Sequence, residues 1–183
     1  MSEASMEAMP EAPFRLVVMG VAGSGKSTVG QAVATRLALP FVEGDSLHPQ
    51  ANVDKMAAGE PLNDDDRWPW LDRVAEALRD AEQGVVVSCS ALKQVYRDRL
   101  RAGVNGPLWF LFLDGSPNLL SLRLASRKGH FMKQSMLDSQ LATLEKPTGE
   151  LNVLTCDLNQ SVEDIVAAVA NMRATEARPT RAA

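Results

Sequence analysis

The sequence predicts an α/β protein built on one five-stranded parallel sheet with helices packed on both faces. Three observations carry that prediction. Short apolar runs alternate with amphipathic stretches along the chain. A glycine-rich turn joins the first apolar run to the first amphipathic stretch. The length of 183 residues, with 45% hydrophobic and 23% charged side chains, suits a single domain around a single core.

No run reaches the roughly 18 consecutive apolar residues of a membrane span. A net charge of −4 and a pI near 5.2 carry no overall basic footprint. Neither a membrane nor a nucleic-acid partner is therefore expected. Residues 1–13, with the acids Glu3, Glu7 and Glu11 and no basic start or apolar core of a signal peptide, read as a disordered solvated tail. Residues 174–183 read the same way, leaving one domain over 14–173. Cys89 and Cys156 sit in apolar stretches without a C-x-x-C pair, which predicts reduced core thiols and a cytoplasmic setting.

The first strand is expected over Phe14 to Met19 and the first helix over Lys26 to Leu37. Between them Gly20-Val21-Ala22-Gly23-Ser24-Gly25-Lys26-Ser27 satisfies G-x-x-x-x-G-K-S/T, the P-loop pattern. Glycines let successive backbone N–H groups turn toward phosphate oxygens, and the following helix adds its positive end. Gly20, Ala22, Gly23, Ser24, Gly25, Lys26, Ser27 and Thr28 are the expected nucleotide contacts. By analogy with other P-loop enzymes, Lys26 reaches the β- and γ-phosphates and the Ser27 hydroxyl takes Mg²⁺. A chance glycine-rich turn is the competing reading, and the strand before and helix after weigh against it. The absence of D-x-x-G and N-K-x-D elements favours a kinase over a GTPase switch.

The second strand, Phe41 to Glu43, leads to Gly44-Asp45-Ser46-Leu47-His48-Pro49. If the extended conformation continues, Glu43 and Asp45 point to the same side. Asp45 is then the candidate base for an alcohol acceptor, and Glu43 the partner of Mg²⁺ through water; alternatively Asp45 caps the next helix. His48-Pro49 opens a helix that places His48, Asn52, Lys55 and Met56 on one face, whether as ligand contacts or as a solvated surface.

A further helix is expected over Trp68 to Ala81, with Asp64 to Asp66 before it as capping and dipole-complementing acids. Arg67 has the planar fork to clamp a carboxylate, or to pair with those aspartates. The third strand, Val85 to Ser88, delivers Cys89-Ser90-Ala91-Leu92-Lys93, with Tyr96, Arg97 and Arg101 following at helical spacing. Lys93, Tyr96 and Arg97 form a donor-rich face for hydroxyls and an anionic acceptor, or simply a solvated basic face.

The fourth strand is expected over Trp109 to Leu113 and a helix over Leu119 to Arg127. Arg123 and Arg127, four apart, can reach one phosphate. With Lys128, Gly129 and Lys133 they suggest a lid, at about residues 128–140, that closes over ATP; a helix end complementing its own dipole is the alternative. The last strand, Val153 to Cys156, precedes a helix over Val162 to Met172 with Ser161 as its N-cap.

Taken in order, these stretches resemble the gluconokinases of the shikimate-kinase-like branch of P-loop kinases, over Leu16 to about Met172. The resemblance rests on Gly20 to Ser27, Gly44-Asp45 with His48-Pro49, Asn52 with Lys55-Met56, Asp64 with Asp66-Arg67, Pro69-Trp70-Leu71, Cys89-Ser90-Ala91-Leu92-Lys93 with Tyr96-Arg97-Asp98, Arg127-Lys128-Gly129-His130-Phe131, and Gln140 with Thr143-Leu144-Glu145. It implies a three-layer P-loop NTPase fold of nucleoside-monophosphate-kinase type, with a mobile lid. It also implies transfer of the ATP γ-phosphoryl group to the 6-hydroxyl of D-gluconate, with Mg²⁺, in a homodimer. Asp45, His48, Lys55, Arg67, Lys93, Arg97, His130 and Gln140 would contact the sugar acid, and Lys26, Asp45 and Arg127 would serve catalysis.

Two positions depart from the family's pattern: Glu43 stands where many relatives carry Asp, and Ser46 where a further acid is common. Shikimate or another hydroxy-acid remains an alternative acceptor, although a glycine-rich turn after the third strand is absent. A non-catalytic nucleotide-binding module is the alternative of another class, opposed by the joint presence of Lys26, Ser27, Asp45 and Arg127.

Overall fold

The computed structural model describes residues 12–126 and 133–176. Its strands are β1 (Phe14–Met19), β2 (Phe41–Glu43), β3 (Gly84–Ser88), β4 (Trp109–Asp114) and β5 (Val153–Asp157). Its helices are α1 (Lys26–Leu37), α2 (Gln50–Ala57), α3 (Asp64–Arg79), α4 (Gln94–Val104), α5 (Pro117–Ala125), α6 (Lys133–Thr143) and α7 (Val162–Glu176). The strands form one sheet in the order β2-β3-β1-β4-β5, with every pair parallel.

Alternation along β1 builds the three layers. Leu16 and Val18 face a core completed by Val29 and Val33 of α1, Leu120 and Leu124 of α5, and Ile165 and Val169 of α7. Val17 and Met19 face the opposite core, filled by Trp70, Leu71, Val74 and Leu78 of α3 and Leu100 and Val104 of α4. Being covered on both faces, the strands read as continuous apolar runs rather than alternating ones.

Several boundaries differ from the expectation for local reasons. Helix α3 begins at Asp64 rather than Trp68 because Asn63 accepts from Asp66 N while the Asp66 side chain accepts from Asn63 N, a reciprocal cap. Pro69 thus falls inside the helix, where its missing N–H leaves only the carbonyl of exposed Asp65 to solvent. Helix α5 starts at Pro117 rather than Leu119, capped by Ser116 Oγ on Leu119 N. Helix α7 runs four residues past Met172.

The expectation that Glu43 and Asp45 share one side of an extended segment fails. Strand β2 stops at Glu43, and Gly44–Leu47 coils into a 3₁₀ turn that rotates Asp45 away from the strand's alternation.

Candidate active site at the C-terminal edge of the sheet

Sheet order changes direction around β1, so the crevice at the strands' C-terminal ends opens between β1 and β3, where open α/β sheets bind ligands. The loop from Gly20 to Gly25 occupies that point. Gly20, Gly23 and Gly25 have φ of 150°, 82° and 84°, the region that side chains with a Cβ disfavour. No side chain caps the N-terminus of α1, so its first N–H groups stay available to an anion. Lys26 Nζ donates to Val21 O at 3.2 Å. Ser24 Oγ is fully buried and finds no hydrogen-bond partner among the described residues.

Ala22 N donates to Gln140 Oε1 of α6 at 2.7 Å. Gln140, expected at the sugar acid, thus sits on the phosphate loop itself and ties α6 to it.

Glu43, at the end of β2, links the end of β3 to the first turn of α1. Ser27 Oγ donates to Glu43 Oε2 at 2.5 Å, and Ser88 Oγ donates to Glu43 Oε1. Asp45 projects into solvent, its side chain 75% exposed, with Oδ1 at 4.0 Å from His48 Nε2. The His48 ring stacks on Trp70 at 4.2 Å between centroids and meets Asn52 Nδ2 at 3.1 Å through Nδ1. Burial holds the imidazole below its ordinary pKa; the Asp45 charge opposes this and the Arg67 charge adds to it. His48 is therefore neutral near pH 7, and its approach to Asp45 is a polar contact rather than an ion pair. Trp70 Nε1 donates to Gly44 O at 2.8 Å, which pins the 3₁₀ turn from below.

A cluster joins the start of α3 to Lys93, the residue before α4, and to the first turn of α4. Asp64, at the start of α3, accepts from Lys93 Nζ at 3.0 Å and from the Tyr96 hydroxyl of α4. Arg67 Nη1 donates to the same hydroxyl at 3.0 Å, and both cations lie 5.5 Å from the Tyr96 ring centroid. Hydrogen bonds from Tyr96 and Lys93 hold Asp64 below the usual carboxylate range. Burial first, then the bond to Asp64, pushes Tyr96 up. Lys55 pairs with Asp66 at 2.8 Å, so Asp66 serves the cap and this pair while Asp64 serves the cluster. Among the described residues no carboxylate lies within ion-pair distance of Arg67, so the pairing with its neighbouring aspartates does not form.

Arg97 must be moved out of the ligand face. It is completely buried, and its five N–H groups are consumed by Glu150, Ala91 O, Leu92 O and Glu145 O. Helical spacing put Arg97 beside Lys93 and Tyr96 but could not reveal Glu150, 53 positions away in the loop before β5. Asp64 and Tyr96 are the residues whose part in the cluster sequence reasoning understated; both were visible, one as a cap and one as part of a basic face.

Arg123 Nη2 donates to Leu158 O at 2.7 Å. Its side chain, with Gly23, Gly25, Thr28, Val29, Ser126 and Val162, lines a cavity of about 230 Å³ beside the loop. Ser126 and Val162 had carried no signal in the sequence. A larger hollow of about 340 Å³ at the opposite end of the sheet, around Phe14, Trp109 and Arg173, contains none of the phosphate-binding groups. Arg127 and His130 lie outside the described residues, as does the first part of the expected lid, whose remainder forms the start of α6.

Among the described residues no three His, Cys, Asp or Glu side chains cluster at metal-binding distance. The arrangement of Ser27 and Glu43 suits instead a cation that the protein holds by few ligands and phosphate oxygens hold by the rest, as Mg²⁺ prefers.

Known proteins match this chain over most of its length. The family described as an AAA domain matches residues 16–147. Thermoresistant gluconokinase of Escherichia coli is 48% identical over 155 residues, spanning 82% of this chain and 88% of that protein. Gluconokinase of Gluconobacter oxydans is 54% identical over 138 residues, spanning 74% and 77%. The crystal structure of a gluconokinase from Sinorhizobium meliloti superposes with a TM-score of 0.81 at 47% identity, covering 92% of this chain and 99% of that one. Shikimate kinase from Bacteroides thetaiotaomicron, at 17% identity and a TM-score of 0.64 over 88% and 98% of the two chains, shares the fold alone.

Proposed function

This chain belongs to the gluconokinase family, and from that membership we infer that it is an enzyme transferring the γ-phosphoryl group of ATP to the 6-hydroxyl of D-gluconate. The observation that supports the reading beyond the family is that two polar groups of residues follow the C-terminal ends of the paired neighbours β1 and β3. After β1 come the glycine-rich loop, Lys26 and the uncapped first turn of α1; after β3 comes Lys93, which joins Arg67 and Tyr96 in the donor cluster organised on Asp64. Phosphoryl transfer through a loose transition state needs positioning and charge complementarity more than covalent assistance. The two groups are suited to supply both.

In this proposal the backbone amides from Gly25 into the uncapped first turn of α1 cradle the β- and γ-phosphates and Lys26 follows the charge of the transferring group. The cavity beside Arg123, Thr28 and Val162 receives the nucleoside. Ser27 Oγ, backed by Glu43, would hold Mg²⁺, and the chemistry that the bound ion supplies is neutralisation of charge on the phosphate oxygens. The Ser27 proton is committed to Glu43, which leaves the oxygen lone pairs turned outward, as a cation ligand requires. Lys93 and Arg67 offer cationic donors to the sugar-acid carboxylate, with His48 and Lys55 at the rim, while Gln140 steadies the phosphate loop. Asp45, solvent-facing near the start of the turn, accepts or orients the proton of the acceptor hydroxyl. Arg127 and His130 keep the parts that the family resemblance gives them, as do a homodimeric state and a cytoplasmic location.

The test is ADP release in a coupled assay over gluconate, other sugar acids, shikimate and AMP. Gluconate is expected to be fastest; a clear preference for another acceptor overturns the substrate assignment.

A further inference from the structure

We propose that Ser88 is a positioning residue for the cation site, holding the Glu43 carboxylate so that the Ser27 hydroxyl faces the metal with its lone pairs. The inference rests on the reading of Glu43 given above.

Ser88 ends β3 directly opposite Glu43 in the parallel register of β2 and β3, and it is 1% exposed. Its hydroxyl is used in both directions: it donates to Glu43 Oε1 and accepts Gly44 N–H at 3.1 Å. A hydroxyl has one proton, so accepting from Gly44 N fixes the rotor and leaves that proton for Glu43 alone. The carboxylate is then held at both oxygens, by Ser88 on Oε1 and by Ser27 on Oε2.

The surroundings make this a rigid clamp. A Cβ on Gly44 would lie 1.9 Å from Ser88 O, so the two strand ends approach this closely only because residue 44 has no side chain. Trp70 Nε1 holds the Gly44 carbonyl at 2.8 Å. Glu has one more rotatable bond than Asp, and a single contact to Ser27 would leave the longer stem free to swing. The second hydrogen bond from Ser88 removes that freedom. Groups that orient a metal's partner in this way govern affinity without touching the metal.

The test compares Ser88→Ala, Ser88→Thr and Glu43→Gln in the full-length protein. Mn²⁺ is titrated by electron paramagnetic resonance in the presence of saturating ADP, and ADP binding in EDTA is measured by calorimetry. Ser88→Ala is expected to weaken Mn²⁺ binding about tenfold, and Ser88→Thr, which keeps the hydroxyl, by no more than about twofold. Metal-free ADP binding stays unchanged in both Ser88 variants. An unaltered Mn²⁺ affinity in Ser88→Ala beside a weakened one in Glu43→Gln overturns the role of Ser88 alone. If neither variant weakens Mn²⁺ binding, the reading of Glu43 falls and this inference with it. An equal loss of metal-free ADP binding, or a loss in Ser88→Thr as large as in Ser88→Ala, would make Ser88 a structural residue only.

Discussion

Asp45 and His48 sit three positions apart in one turn, yet burial gives them opposite characters. The exposed Asp45 carboxylate is free to meet an incoming hydroxyl, whereas His48 is pressed against Trp70 with its side chain only 5% exposed. Asp45→Asn keeps the shape and removes the proton acceptor. Turnover should fall by about a hundredfold or more while ATP affinity stays near its original value. Steady-state kinetics with a nucleotide-binding titration checks this; an equal loss of both would make Asp45 structural. His48 carries a pH signature of its own. Its folded-state pKa lies below the ordinary 6.5, so in acid the unfolded chain binds the proton more readily than the folded one. Stability is therefore present above about pH 6.5 and declines as pH falls through that value toward the folded pKa. Thermal melts across this window should show the decline, and His48→Gln should flatten it. At this scale the sequence named the candidates for the site. Lys26, Ser27, Glu43, Asp45 and Lys93 were legible because each belongs to a motif whose chemistry demands that residue type. Arg97 was misread because a basic residue at helical spacing does not disclose which acid will meet it.

The elements themselves were legible where apolar periodicity set them and less so where capping did. All five strands lie within one residue of the expected bounds. Helix α3 began four residues early because Asn63 and Asp66 close a reciprocal cap, a local hydrogen-bond pattern that apolar spacing does not register. The cap has a functional consequence: it sets the first turn of α3, from which Asp64 reaches Lys93 and Tyr96. Asn63→Ala should cost about 1 kcal/mol of stability. It should also raise the KM for the sugar acid more than that for ATP, since the displaced Asp64 organises only the acceptor wall. Denaturant melts and two-substrate kinetics read the two effects separately. Equal changes in both KM values would disconnect the cap from the acceptor wall. Residues 133–140, expected as part of a lid, lie in helix α6, where Gln140 Oε1 accepts from the Ala22 amide of the phosphate loop.

Over the whole molecule, a buried ion pair fastens the segment before β5 to α4. Glu150, 10% exposed, accepts from both Arg97 and Arg101, and those bonds hold it below the ordinary carboxylate range. Glu150→Ala leaves the enclosed Arg97 guanidinium without its counter-charge and should destabilise the fold by about 3–5 kcal/mol. Chemical denaturation at neutral pH measures the loss; a change within about 0.5 kcal/mol, typical of a surface site, would contradict the burial argument. Glu150, Asp64, Asp66 and Asp72 all have depressed pKa values, so the stability they contribute persists above the ordinary carboxylate range and is lost only as pH falls through it. Acidification should therefore reach the His48 step first. The sequence by itself determined the strand-helix alternation, the phosphate loop and the acids and bases beside it, because apolar periodicity and motif spacing are local properties of the chain. Only the tertiary structure decided that Glu43 would be shared between Ser27 and Ser88, that Asp64 would organise Lys93 and Tyr96, and that Arg97 would be enclosed by Glu150. Each of those pairings joins residues 16 to 53 positions apart, and such pairings are set by how the strands register and the helices cross.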